Sequence, residues 1–463
     1  SVSLEKNVEA ARAEGEAQSK LNAETKVGED CSAGAAVMLD VRDFSVLAAD
    51  DEFCLADEVV IGIGEDASEV IKFAAEDFAD FLSVSMNVKA SVSASDNGII
   101  SLKIADEKTP LYEADGYKGF LIMVSDGIEI YGKDDRGVAA ALYYIEDLMC
   151  MKKAPVLEKG EIRKKTALSP RMVHSGYALD NYPDEYLTRI AHEGRDAILV
   201  FAWDVNKTHL GYLDFNDLIA RAKKRGIDVI LTCGWLIEYF AMDNGQMNLW
   251  YKDHPYLHGE GEDFYGESKN VDFTGLTEHE IRIKKAARRY GEWVAQSFEA
   301  FWKNGADNVK YALVFTEPLW EIYKHDTWSQ DYVEMVIGLH EKLEEHGIRD
   351  KILIMGPNQG GGHNGTLNEF MLKNYPDLYE VISGHNYPHA PKDTQTDTFA
   401  EDANDTYSKF QTKMDKYDKL GRDYWNDEFQ ANSDNARNGQ PSVWNGINSV
   451  VSLLVGMQTV PTG

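Results

Sequence analysis

Closely spaced cysteines are absent from this chain. The four present, Cys31, Cys54, Cys150 and Cys233, are scattered over 463 residues, which excludes the paired spacing of structural zinc sites and dithiol redox motifs. Positive charge is also scarce. Lys and Arg number 47 against 78 Asp and Glu, a formal net charge of −31, and that balance repels phosphate backbones and anionic headgroups. Nucleic acid is therefore not an expected partner. No stretch approaches the ~20 consecutive apolar residues of a membrane span, and no charged-then-apolar leader opens the chain.

What is present reads as globular. Hydrophobic residues at 43% and charged residues at 27% allow a sizeable core, and the length predicts two or three units unless one is a large barrel. Residues 1–30 are a polar segment with a thin apolar stripe through Leu4, Val8 and Ala11. From 31 to 160 a small α/β domain is expected. Its helices are ASEVIKFAAEDFADFL from Ala67, with Val70, Ile71, Ala74, Phe78, Phe81 and Leu82 on one face, and DDRGVAAALYYIEDLM from Asp134. Its strands are EVVIGIG, GIISLKI, GFLIMVS and GIEIYG, the last two joined at Asp126-Gly127, a pair suited to a tight hairpin.

Beyond Lys152 one joint recurs: a helix ends at Gly, a few polar residues follow, and an apolar strand begins. It appears at HEGRDAILVF, KRGIDVILT, KNGADNVKYALVF, EHGIRDKILIM and KLGRDYWND, the short link that consecutive βα units need. Thr277 with Glu280 makes a capping box ahead of a helix to Asn304, with its stripe through Ile281, Ala286, Tyr290, Trp293, Val294, Phe298 and Phe301. Strands are expected near 171–177, 196–203, 227–234, 309–316, 351–356, 380–385, 423–428 and 456–460. Eight such units over residues 165–463 predict a (β/α)8 TIM barrel. A doubly wound sheet is the alternative, but no Gly-rich phosphate loop follows the first strand. The last strand lies just before Gly463, so the barrel is expected either to be truncated after strand 8 or to be covered there by another segment.

In such a barrel the chemistry gathers at the C-terminal ends of the strands. The polar and aromatic residues there are His174 on strand one, Trp203 and Asp204 on two, Trp235 on three, Thr316, Glu317 and Trp320 on four, Asn358 on five, His385, Asn386 and Tyr387 on six, and Trp425, Asp427 and Glu428 on seven. Glu317 and Glu428 end strands on facing sides of the ring. A pair of carboxylates is what glycosidic hydrolysis requires, one to protonate the leaving oxygen and one to attack the anomeric carbon or activate water. The aromatic residues offer flat faces to sugar rings.

FTEP at 315–318 resembles the Asn-Glu-Pro signature of the large clan of retaining β-glycosidases, WNDEF at 425–429 resembles its strand-seven segment, and GHNYP at 384–388 its His-x-Tyr segment. The resemblance implies Glu317 as acid/base, Glu428 as nucleophile, and His385 and Tyr387 as supports. Thr316 stands where the clan has Asn, a residue that contacts the sugar 2-hydroxyl. Residues 75–149 are similar to the small α/β domain that precedes the barrel in family-20 hexosaminidases and α-glucuronidases. Those hexosaminidases use the substrate acetamido group as nucleophile and need an Asp-Glu pair on strand four; here Asp427-Glu428 is such a pair on strand seven, so substrate assistance is the alternative. A non-catalytic carbohydrate-binding barrel is a third reading.

The expected substrate is therefore a β-linked glycan, acted on in a secreted, cell-surface or periplasmic setting after removal of any signal. The connection from about 240 to 275, with Trp250, Tyr251, Tyr256 and Phe264, is long enough to wall a cleft. His254 and His258 lack a third ligand nearby, so neither metal nor cofactor is expected. A barrel lyase or aldolase would want a lysine or a metal triad at the strand ends, and neither is found there.

Overall fold

The computed structural model describes residues 41–95, 97–109, 118–166, 169–174, 182–202, 207–208, 211–212, 215–233, 272–314, 328–359, 366–386 and 423–429. Two compact units are present. Among the described residues, one comprises 41–198 together with 215–229, the other 199–212 together with 230–429.

The chain opens with β1 (Glu52–Cys54), β2 (Glu58–Ile63), α1 (Glu69–Ser85), β3 (Lys89–Ser93), β4 (Ile100–Ile104), β5 (Phe120–Val124), β6 (Ile128–Gly132), α2 (Asp135–Lys152), β7 (Val156–Glu158) and β8 (Gly160–Lys164). Six of these strands form a mixed sheet in the order β3-β2-β4-β6-β5-β8, and β1 pairs separately with β7. The expected hairpin is present, with Ile122 opposite Ile130 in an antiparallel ladder. Alternation puts Val59, Ile61 and Ile63, Ile100 and Leu102, and Ile128 and Ile130 into one buried layer. The two helices pack against each other. All six stripe residues expected on α1 are buried. Ser68 caps α1 and Asp134 caps α2, each accepting a backbone N–H of the first turn.

There follow β9 (Met172–His174), α3 (Asp184–His192), β10 (Ala197–Ala202), a small hairpin of β11 (Lys207–Thr208) and β12 (Gly211–Tyr212), α4 (Phe215–Lys223), β13 (Asp228–Cys233), α5 (Glu278–Lys303), β14 (Tyr311–Leu313), α6 (Trp328–Glu345), β15 (Leu353–Gln359), α7 (Thr366–Asn374), β16 (Val381–Asn386) and β17 (Asp423–Phe429). Seven strands form one sheet in the order β17-β16-β15-β14-β13-β10-β9. The ladders from β13 through β17 are parallel. Spatial order equal to chain order, with helices between strands, is the pattern of a (β/α) barrel. The expected eighth strand lies outside the described residues.

The joint glycines adopt the backbone that their position demands. Gly194, Gly226, Gly305 and Gly347 all have φ between 66° and 81°, the left-handed region that ends a helix cheaply only at glycine. The fifth, Gly421, is not among the described residues. Thr277 and Glu280 form the capping box of α5. Ile283 rather than Ile281 lies on its buried face, with Ala286, Tyr290, Trp293, Val294, Phe298 and Phe301 as expected. Gly291 and Gly338 let α5 and α6 cross closely: a Cβ at Gly291 would meet the Gly338 carbonyl oxygen at 2.3 Å.

Ion pairs tie the first barrel elements to the α/β domain within one unit. Arg136 on α2 holds Asp228 on β13 through two bonds of 3.2 and 2.6 Å. Lys118 reaches Asp196 at 3.5 Å, and burial lowers its pKa despite that carboxylate. The Arg225 guanidinium lies 4.5 Å from the Phe73 ring centroid. None of the described helices is long and apolar enough to cross a membrane.

Candidate active site

The site is built on the strands. Leu313, Met355, Val381 and Asp423 form one continuous row across β14 to β17. Neighbouring strands lie about 4.8 Å apart, so β14 and β17 would stand roughly 14 Å apart in a flat sheet. Yet the Tyr311 ring on β14 and the Trp425 ring on β17 have centroids 5.0 Å apart, inclined at 60°. Only a sheet curled toward that face brings them together. Their positions also give the stagger. Tyr311 lies two residues before the common row and Trp425 two beyond it, an offset of four over three strand steps. An eight-strand barrel of shear 8 shifts about one residue per step, so the offset fits a tilted, closing barrel.

Strand four is held at its end. The Val314 N–H donates to the Met355 carbonyl at 3.0 Å, and its own carbonyl accepts from the Tyr332 hydroxyl of α6 at 3.2 Å. Tyr379 donates in turn to Tyr332 at 2.7 Å. Burial raises the pKa of both phenols, so they remain hydrogen-bond donors. Gly356 is needed here, because a Cβ would come within 2.6 Å of the Tyr379 ring. Thr316, Glu317 and Trp320 follow immediately and lie outside the described residues.

Strand five carries Asn358, buried and at φ 51°, a conformation that Asn tolerates better than most residues. Its N–H donates to Ser383 Oγ at 3.2 Å, where the ladder to β16 shifts register. Strands six and seven pair Ser383 with Trp425, Gly384 with Asn426, and then His385 with Glu428. Asp427 is thus the extra residue of an irregularity, which inserts one position before Glu428.

Of the other residues expected at strand ends, His174 closes β9 and Asn386 lies opposite Phe429. The backbones of His174, His385, Asn386, Asp427 and Glu428 are described and their side chains are not. Trp203, Asp204, Trp235 and Tyr387 lie outside the described residues, as do His254 and His258.

Four further residues that shape this region carry no signal in the sequence. Tyr311 was submerged in an apolar run, and Ser383 carries no motif. Tyr332 and Tyr379 lie before and after strand five, on α6 and just ahead of β16. Thr232 on β13, paired with Leu313, is buried with its hydroxyl unpartnered. Cys233 ends that strand, and burial raises its thiol pKa, which keeps it from acting as a thiolate.

No protein-family model and no curated protein matches the sequence. Among solved structures, a family GH115 4-O-methyl-α-glucuronidase with specificity for decorated arabinogalactans is similar at TM-score 0.51 and 11% identity, over 88% of this chain and 57% of that one. The fold is one that glycoside hydrolases use. This chain thus spans little more than half the length of that enzyme. It is also similar to a GH20 β-N-acetylhexosaminidase from Streptomyces coelicolor A3(2), at TM-score 0.48 and 11% identity over 80% of this chain and 73% of that one. A third likeness is a β-N-acetylhexosaminidase from Bacteroides fragilis NCTC 9343, at 0.43 and 12% over 76% of each.

Proposed function

We propose that the chain is a glycoside hydrolase acting on a β-linked glycan or glycoconjugate through two carboxylates, Glu317 as acid/base and Glu428 as nucleophile. The observation that supports this best is the contact of Tyr311 with Trp425. It makes strands four and seven face each other across the curled sheet; Glu317 follows the first of these in sequence and Glu428 lies on the second. The register shift adds support. One extra residue before Glu428 restores that position to the parity of Trp425, and pairs it with His385, which has the parity of Ser383.

In the reaction Glu428 attacks the anomeric carbon while Glu317 protonates the leaving oxygen. Glu317 then deprotonates the water that releases the sugar. The division of labour needs Glu317 protonated and Glu428 ionised at the start, which two facing carboxylates favour by mutual repulsion.

Aryl glycosides test this: galactoside, glucoside, glucuronide and N-acetylhexosaminides, with wild type, Glu317→Gln and Glu428→Ala. Glu428→Ala is expected to abolish turnover, and Glu317→Gln to lower it by roughly 10²–10⁴-fold. Undiminished activity in Glu428→Ala removes the nucleophile. Hydrolysis confined to acetamido sugars would move the reading to substrate assistance, and binding without turnover to a lectin-like barrel.

A further inference from the structure

A cluster of titratable side chains lies within the unit that holds the α/β domain. His192, at the end of α3, has one ring nitrogen against Asp77 of α1, with Nε2 to Oδ2 at 2.5 Å. Its other nitrogen faces Glu146 of α2, with Nδ1 to Oε2 at 3.0 Å. One ligand atom from each of the three residues lies within 4.8 Å of the others. Glu146 is buried and its second oxygen, Oε1, has no partner. Tyr143, whose ring stacks on His192 at 4.2 Å, also buries a hydroxyl without a partner. Buried polar atoms without a protein partner are costly, and a bound ion or water is what satisfies them.

The two distances differ in meaning. Ligands 2.0–2.2 Å from one zinc ion, at angles of 90–110°, stand about 2.9–3.5 Å from each other. The Nδ1 to Glu146 separation, an ion pair while the ring is protonated, also fits that edge. The Nε2 to Asp77 separation is too short for it and is a charge-assisted hydrogen bond. Together they match a common arrangement, in which a metal-binding histidine donates its other N–H to a carboxylate. Charge points the same way: two carboxylates and one imidazolium leave a net −1, whereas two carboxylates, a neutral imidazole and a divalent cation leave zero.

We propose that this cluster is a divalent transition-metal site, with His192 Nδ1 and both oxygens of Glu146 as ligands and Asp77 orienting the ring. Imidazole and carboxylate together suit Zn²⁺. Water completes the coordination, reaching the site beside His192, whose side chain is 23% exposed. On binding, the Nδ1 proton leaves to solvent and the Nδ1 lone pair passes to the metal, so one proton is released per ion.

The test is Zn²⁺ titration of the intact chain by calorimetry in two buffers of different ionisation enthalpy, with metal content measured after dialysis. Wild type is expected to retain one more equivalent than Glu146→Gln and to release one proton as it binds. Asp77→Asn, which keeps both ligands, is expected to weaken that equivalent by about 10–100-fold. Equal Zn²⁺ retention by wild type and Glu146→Gln would overturn the site. So would binding that Asp77→Asn leaves unchanged, a control that stands should Glu146→Gln fail to fold.

Discussion

Tyr332 illustrates how one hydroxyl fixes the end of a strand. It accepts from Tyr379 and donates to the Val314 carbonyl, so it joins α6 to β14 where the chain runs on toward Glu317. Replacing it by Phe removes both of these buried hydrogen bonds. The expected cost is about 1–3 kcal/mol, seen as a lower urea midpoint with an unchanged slope. Little of this was legible in the sequence, where Tyr332 and Tyr379 stood as ordinary aromatic residues of a helix and of a strand's lead-in. Hydrogen bonds between residues 47 apart leave no local pattern.

At the level of elements, caps and joints were the most legible features because their causes are local. The capping box of α5 gives a pH prediction. Glu280 accepts from the Thr277 backbone and hydroxyl, which lowers its pKa. A carboxylate with a lowered folded pKa contributes stability that is complete above its unfolded value, near 4.3. That contribution is lost as pH falls through the folded value. Glu280→Gln should therefore flatten the fall in Tm between pH 5 and pH 3; an unaltered profile would show that the cap does not contribute. Edge strands were less legible. KASVS of β3 carries three polar residues out of five, and it forms a strand because β2 offers it a partner. Asp228 shows the same dependence on distant sequence. Within KRGIDVILT nothing marks it, yet in the structure it is the bidentate partner of Arg136. Asp228→Ala removes both bonds to a largely buried guanidinium and should cost about 3 kcal/mol by chemical denaturation.

For the whole molecule, the order of βα units was visible because each joint repeats the same backbone problem, and the α/β domain because its hairpin and helical stripes are periodic. The curl was implied by the barrel pattern, but the contact that marks it was not visible, since it joins Tyr311 and Trp425, which are more than a hundred residues apart in sequence. That separation has a kinetic consequence. Contacts that close so long a loop carry their entropy cost before any reward and tend to form late in folding. A change at a late contact speeds unfolding and leaves the folding rate nearly unaltered. Trp425→Leu should thus raise the unfolding arm of a chevron plot while the refolding arm stays in place, and an equal slowing of refolding would mean that the contact forms early. The face joining the two acid-bearing strands would then govern how long the protein lasts once folded, more than how it gets there.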